Sequence, residues 1–494
     1  MKSKTGYSGL AKLMLMVLLT FATQIVTLMK SSIVAGKFGV SAEMDAFNFA
    51  NSLASFVFSF LISGISTIVI PCYVKKSNRR ITDSFLSLIL SATVIVVSLI
   101  LIFRESIISS ITGRDSEFVE LTCSILVLLL LANFFTFFSS VTSAFFQYIE
   151  KYNLPKIISF ISQCAVIFVL ILAKNISIAQ YTLIIGGGLL LNSIIDLGAA
   201  IKNGWRFRLS FALKNPETQA LLKTFFPVLA STGVYQISLM IDNAIASRLN
   251  TGDITVLNYA NQITAMINTL LVGNILAYFY PKMVKDIVDE KPQQCFWDKT
   301  IFFHAIICLL IVGYVTIGKE GLSILFEHGK FGEESTNTVY VLGMIYIIAL
   351  QANVVRDMIY RYFYSLRDTK STTLNSIIAT AVNIVTSLFL VKFIGIYGIV
   401  IGTAISSVIS LISIINRFTH KVGKSGILCK TFLQYLRTIL LSIVSICIVL
   451  YSKRIIAVDN MFLSIVLFGV ESILIYLLLT LLANRKIVKI SLQI

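Results

Sequence analysis

Charge is what this chain has least of. Only 13% of its 494 residues are Asp, Glu, Lys or Arg, while 56% are apolar, and mean hydropathy is +0.87. A soluble domain of this length needs far more charge to cover its surface, so that class is excluded. Cysteine is present seven times (Cys72, Cys123, Cys164, Cys295, Cys308, Cys429, Cys447) but scattered, with no C-x-x-C and no metal-ligand spacing. Buried reduced thiols account for them better than a disulfide framework or a thiolate metal centre. Histidine occurs three times, at His304, His328 and His420, with no partner spacing among them. A Walker loop, a G-x-S-x-G elbow and an H-E-x-x-H helix are all missing, so no enzymatic constellation emerges. The expectation is a transporter rather than an enzyme, with no cofactor, driven by an ion gradient such as Na+, by membrane potential or by the substrate gradient.

What fills the chain instead is a series of apolar runs about 20 residues long, each enough to cross a bilayer core of roughly 30 Å as a helix. Backbone groups in lipid must bond to one another, and the runs are continuous rather than alternating, so helices are expected and not a β-barrel. Fourteen spans are expected: 10–33, 47–71, 85–103, 121–146, 157–172, 183–200, 221–246, 257–281, 301–317, 339–364, 374–393, 398–415, 439–450 and 462–482. The first is too long for a cleaved signal peptide and lacks a small-x-small cleavage site.

The formal charge of +17 does not point to nucleic acid, because the bases concentrate in alternate loops. With the N-terminus inside, segments expected on the cytoplasmic face carry Lys75, Lys76, Arg79 and Arg80, then Lys202, Arg206, Arg208 and Lys214, then Lys282, Lys285, Lys291 and Lys299, and finally Arg485, Lys486 and Lys489. The opposite loops are poorer: Lys37 alone, Arg104 with Arg114, Lys174 alone, Arg248 alone, Lys319 with Lys330, Lys392 alone, and Lys453 with Arg454. That bias places both termini in the cytoplasm and favours contact with anionic lipids.

One unit is used twice. Shifted by 210 positions, Asn48 falls on Asn258, Ala50 on Ala260, Asn51 on Asn261, Leu61 on Leu271, Pro71 on Pro281 and Lys75 on Lys285. Two parallel copies of six spans follow, since six is even. The expected division is an N-lobe over 1–201, a linker over 202–218, a C-lobe over 219–420 and a final helix pair over 421–494. The linker interleaves Trp205, Phe207, Leu209 and Phe211 with bases, as an interfacial segment does.

Charges inside spans are expensive and call for a reason. Lys30 has two readings: its stem carries the ammonium to the outer interface, or it faces a wet cavity and meets an anion. On span 10, Asp357 and Arg361 are four apart and suited to pairing, which would leave Arg356 for a phosphate. The acids are Asp45, Asp196, Asp242 and Glu471. Asp45 suits either a helix cap or a binding site, and Asp242 suits a cation or proton site. Asn258, Asn261 and Gln262 belong to a polar stripe that reads as sugar-binding or as interhelical bonding.

At these residues the chain resembles a known family. The run SSIVAGKFGVSAEMDAFNFA is similar to the first-loop signature of MurJ (MviN) lipid II flippases, R-D-x-x-x-A-x-x-F-G followed by D-A-F. SRLNTGDITVLNYANQI resembles that family's second-lobe signature, LFEHGKF its outer loop, YRYFYSLRDTKSTT its R-x-F-Y-A-x-x-D-T-K-x-P segment, and GIYGIVIGT its G-x-x-G-L-A-x-A-T span. The matches run in order over residues 20–415. The resemblance implies the all-α multidrug/oligosaccharidyl-lipid/polysaccharide exporter fold of fourteen helices, the last two lining a groove for a lipid tail. It also implies alternating access that moves an undecaprenyl-pyrophosphate-linked sugar from inner to outer leaflet, in the bacterial inner membrane, by a monomer.

Departures from the family pattern are specific. Its Arg-Asp at the end of span 1 is Lys30-Ser31 here, an earlier Arg is Gln24, its basic pair in span 2 is Phe58 and Ser59, and its Asp-Arg in span 8 is Asn261-Gln262. Cavity positions expected to bind substrate are therefore Gln24, Lys30, Asp45, Asn48, Asn51, Asn258, Asn261, Gln262, Arg356 and Arg361. The sodium site of some members corresponds to Asp242, Asn383 and Thr403, with Ser387 where the pattern has a carboxylate. A thinner set of cations keeps another lipid-linked glycan (capsule, O-antigen or teichoic-type) open as cargo. A cation-coupled multidrug exporter of the same fold is the further alternative.

Overall fold

The structure, a computed structural model, describes residues 5–62, 64–74, 79–212, 214–273, 293–366, 368–422, 427–456 and 458–484. Asn274, the end of the eighth expected span, and the bases at Lys75, Lys76, Lys282, Lys285, Lys291, Arg485, Lys486 and Lys489 lie outside them. Sixteen α-helices and no strand occur among the described residues. They are α1 (Thr5–Phe38), α2 (Ala42–Ile62), α3 (Ile65–Val74), α4 (Arg79–Thr112), α5 (Ser116–Phe134), α6 (Thr136–Tyr148), α7 (Asn153–Leu172), α8 (Ile178–Lys202), α9 (Pro216–Ala246) and α10 (Asp253–Ile267). A π-helical turn, Asn268–Gly273, continues α10. Then come α11 (Gln293–Phe326), α12 (Glu333–Ser365), α13 (Thr369–Ile394), α14 (Ile396–Val422), α15 (Ile427–Ile455) and α16 (Met461–Ala483).

Eleven of these stretches, several of them single helices and one α5 with α6, are long and apolar enough to span a bilayer. The protein is a multi-pass membrane protein. Expected spans 47–71, 221–246 and 257–281 are not among the eleven. The first is divided between α2, to Ile62, and α3, from Ile65, the second carries Gln236, Asp242 and Asn243, and the third extends beyond the described residues after the π turn.

Helix α16 shows what solvent the fold is built for. Its buried positions are Ser464, Phe468, Ser472, Tyr476 and Thr480, one every four residues. The opposite face exposes Leu463, Leu467, Leu474, Leu478 and Leu482. A soluble helix buries its apolar stripe; this one turns it outward, toward acyl chains, and uses hydroxyls as interhelical glue. Ser472 and Thr316 share a hydrogen bond of 2.8 Å, and the Tyr476 hydroxyl donates to the Ala305 carbonyl at 2.9 Å, so α16 is fastened to α11. Lys453 on α15 adds an ion pair to Glu320 on α11.

The chain divides into two compact units, Met1–Thr255 and Val256–Ile494. In the first, α2 packs on α5 and α9, α7 on α1 and α8, and α6 on α3 and α8. In the second, α14 packs on α12 and α13, and α11 on α12, α15 and α16. Segment 205–212 is strapped along α4. The buried hydroxyls of Ser84 and Ser87 accept from the backbone N–H groups of Ala212 (2.5 Å) and Ser210 (3.0 Å), and the buried Trp205 indole donates to the Tyr73 hydroxyl at 3.1 Å. Leu209 and Phe211 remain exposed, the pattern of a segment lying against lipid.

Candidate functional site

Asp45, in the first turn of α2, is wholly buried. Its Oδ1 accepts from the Thr255 N–H at 2.9 Å and the Thr255 hydroxyl at 2.7 Å, and its Oδ2 from the Gly252 N–H at 2.6 Å. Those N–H groups open α10 and have no partner within the helix, so Asp45 caps a helix other than its own. Arg114 stands 3.4 Å from Oδ2 and spends its other donors on the Ser247 carbonyl (2.8 Å), the Asn250 carbonyl (3.0 Å) and the Thr251 hydroxyl (3.2 Å). Arg248 returns the clasp by donating to the carbonyls of Ile111 and Ser110. Asp45 and Thr255 are 210 residues apart, the same shift that sets Asn48 against Asn258 in the sequence. Gly252 is required here twice, by a φ of +96° and because a Cβ would lie 2.1 Å from Val40.

Asn48 joins the same cluster, its amide donating to the Thr255 hydroxyl at 3.3 Å. Asn243 beside it donates to Ser52 at 3.1 Å. Gln24 and Lys30 are half-buried on α1, and Asn51 is half-buried on α2. Among the described residues no hydrogen bond or ion pair reaches the Lys30 ammonium. Lys37, the other base of α1, is used structurally: it donates to the carbonyl of Ala173 at 2.5 Å, where α7 ends and cations are favoured.

The first unit also holds a polar cavity of about 610 Å³. Eight of its lining residues are Ser or Thr, contributed mainly by α2 and α6, so it offers hydroxyls where a cationic pocket would offer bases. Gln236 of α9 and Asn192 and Asp196 of α8 add amides and one carboxylate; Lys156 is the lone base on its wall. Phe58 and Ser59 line it as well, and Gln24, Lys30, Asp45, Asn48 and Asn51 do not.

In the second unit, the Arg356 guanidinium meets Asp357 at 2.9 and 3.0 Å and lies 5.6 Å over the Tyr360 ring. Sequence spacing suggested Arg361 as the partner of Asp357 and left Arg356 over; the structure pairs Arg356. Adjacent helical residues diverge by about 100°, but the long guanidinium arm folds back along the half-exposed surface to reach its neighbour. Arg361, Asn258, Asn261 and Gln262 are half-buried. Asn383 is buried and its Oδ1 accepts from the hydroxyls of Ser387 (3.1 Å) and Thr403 (3.2 Å). The Ser387 and Thr403 hydroxyls also reach the Ile399 carbonyl, at 3.3 and 3.1 Å. The contact is close because α14 presents glycine: a Cβ on Gly402 would lie 2.4 Å from Ser387 Oγ. Asp242 is buried on α9 in the first unit.

Arg114 and Ser139 were not singled out by sequence reasoning. The signal for Arg114 was available: a buried carboxylate needs a cation or several donors, and Arg114 and Arg248 are the bases of the two loops that close on Asp45.

A family model described as lipid II flippase MurJ matches residues 34–474. The chain belongs to the MurJ family. A MurJ relative from Rickettsia prowazekii, named as a probable lipid II flippase, is 24% identical over 411 residues, covering 79% of this chain and 80% of its own. One of the same name from Vibrio cholerae is 23% identical over 441 residues, covering 84% and 83%. A solved structure of lipid II flippase MurJ in an inward closed conformation superposes with a TM-score of 0.81 at 22% identity, over 96% of this chain and all of that one. An inward-facing multidrug transporter of the MATE family gives 0.60 at 15% identity, over 80% and 96%. These two structures establish the shared fold. Against the MurJ pattern, Phe58 and Ser59 gain meaning: where a basic pair is usual, this member puts an aromatic ring and a hydroxyl on a cavity wall.

Proposed function

We propose that this chain is a lipid II flippase that carries undecaprenyl-pyrophosphate-linked cell-wall precursor from the inner to the outer leaflet by alternating access. The MurJ match over residues 34–474, which runs through both units, carries this reading. Physical chemistry supports it. The pyrophosphate needs cations, and Lys30 is a half-buried base with no protein partner among the described residues. Sugar hydroxyls need amides such as Asn51 and Asn261. The polyprenyl tail can stay in lipid against the apolar outer faces of α15 and α16. The protein works without catalysis, as a monomer, in the bacterial inner membrane with both termini cytoplasmic. Sodium or membrane potential drives it, with Asp242 in the first unit and Asn383 and Thr403 in the second as the residues that answer a cation.

The test is complementation of a strain depleted of its own lipid II flippase, reading lipid II exposure at the outer leaflet. Restored exposure and growth are expected. A second reading rests on Phe58 and Ser59: with fewer bases near the substrate path, the cargo is another undecaprenyl-linked glycan. Unchanged outer lipid II with internal build-up of a capsule, O-antigen or teichoic precursor on deletion would select that reading.

A further inference from the structure

Asp196 has no part in the function proposed above. It lies on α8, 3% exposed, on the wall of the polar cavity. Its Oδ2 accepts from the Asn192 amide at 3.0 Å, and its Oδ1 has no hydrogen-bond partner among the described residues. The amide oxygen of Asn192 is buried and unpartnered too. The Asn192 amide also reaches Ser139 Oγ at 3.3 Å, and the Ser139 hydroxyl donates to Ser193 Oγ at 3.0 Å. The Ser139 hydroxyl also lies within reach of the Asp196 carboxylate, and among the described residues Asp196 Oδ1 and the Asn192 amide oxygen are left without a hydrogen bond.

What such a cluster lacks is positive charge. Water would satisfy the acceptors but leave the carboxylate uncompensated, which is costly in the interior of a membrane protein. Lys156, the one base on the cavity wall, is exposed, and no ion pair joins it to Asp196 among the described residues. A proton on Oδ1 would neutralise Asp196 and give it an O–H to donate to the Asn192 amide oxygen, but it would leave the hydroxyl oxygens of the cavity wall without a role. An alkali cation can be held by a carboxylate, an amide oxygen and hydroxyl oxygens together, all hard ligands, with cavity waters completing its shell. We propose that Asp196, Asn192 and Ser139 form a site for one monovalent cation of the size of sodium within the first unit. One carboxylate matches one positive charge. The site does not use Asp242, Asn383 or Thr403, and it holds whichever lipid-linked glycan is carried.

The experiment is thermal unfolding of the purified full-length protein in detergent, titrated with NaCl against choline chloride at constant ionic strength. Wild type, Asp196→Asn, Asn192→Ala and the double variant Asn383→Ala/Thr403→Ala are compared. A saturable, sodium-specific rise in Tm is expected for wild type and for the double variant. Measured in the Asn383→Ala/Thr403→Ala background, Asn192→Ala should bind sodium at least tenfold more weakly, and Asp196→Asn should show no response. In choline, Asp196→Asn should be at least as stable as wild type, because it removes an uncompensated charge. That keeps loss of the response distinct from misfolding. The proposal is overturned by any of three results: a wild type that responds to pH but not to sodium, an unchanged response when Asp196→Asn is added to the double variant, or an Asp196→Asn protein less stable than wild type in choline.

Discussion

A carboxylate as deeply buried as Asp45 is tolerable only because four donors converge on it. Remove it, and the buried N–H groups of Gly252 and Thr255 lose their acceptor and the Arg114 guanidinium loses its counter-charge. Asp45→Ala should cost about 3–5 kcal/mol, the range for breaking one side of a buried charged network, and appear as a large fall in Tm in detergent and in membrane yield. Asp45→Asn, which keeps one acceptor oxygen, should lose less. If Asp45→Ala is as stable as wild type but inactive, its work is on the substrate and not in the clasp. Lys30 is the opposite case. Replacing an ammonium that meets a phosphate removes a charged hydrogen bond of about 1.5–3 kcal/mol, so Lys30→Ala should lower transport roughly tenfold or more with normal expression. Full activity would mean that the side chain merely reaches the interface. Outside the membrane-spanning helices, Asp368 caps α13 and pairs with Lys421. That ammonium, followed by the Ser371 N–H and hydroxyl, draws its carboxyl down to about 2 from an ordinary 3.8. A pKa lower in the folded state contributes stability above the unfolded value and loses it as pH falls, here between about pH 4 and pH 2. The Tm difference between wild type and Lys421→Ala should therefore be full at neutral pH and shrink across that window.

At the scale of elements, helices follow the periodicity of the sequence, but their faces are assigned by lipid. Periodicity alone does not say whether Ser464, Ser472 and Thr480 or the leucines between them point inward; the bilayer decides, because it solvates leucine and not hydroxyls. Helix α13 meets α14 through Gly398 and Gly402, where a Cβ would lie 2.5 Å from the Val391 nitrogen and 2.4 Å from Ser387 Oγ. The G-x-x-x-G spacing in the sequence signals close approach, while the partner at the contact emerges only from packing. Gly402→Ala must push α13 and α14 apart, and a loss of about 1–3 kcal/mol is expected from overpacking, read as a lower Tm with the Asn383–Thr403 hydrogen bond disrupted. An unchanged Tm would show that the helix pair slides without cost.

For the whole molecule, the membrane class was readable before any coordinates, because bilayer thickness sets run length. A span that carries Gln236, Asp242 and Asn243 is where length and composition stop identifying a crossing. The pairing of Asp45 with Thr255 lay hidden in the sequence: a shift of 210 aligns similar residues and says nothing about whether they touch. Family membership predicts behaviour of the intact protein in cells. A chain carrying Phe58→Arg and Ser59→Arg, which restores the usual basic pair, should increase rescue of a lipid II flippase-depleted strain if those positions lie on the substrate path. No gain, with normal expression, would place the path elsewhere.

Apolar runs, loop bases and ordered motifs are properties of the chain as a string, and they were enough to specify a many-helix membrane protein, its family and its scattered intramembrane charges. Which of those charges are already spent is a matter of three-dimensional packing. Asp45 and Arg356 have partners, while Lys30 and one oxygen of Asp196 have none among the described residues. Hydrogen bonds and ion pairs act over about 3–4 Å, a distance that helix packing sets and residue spacing along the chain does not.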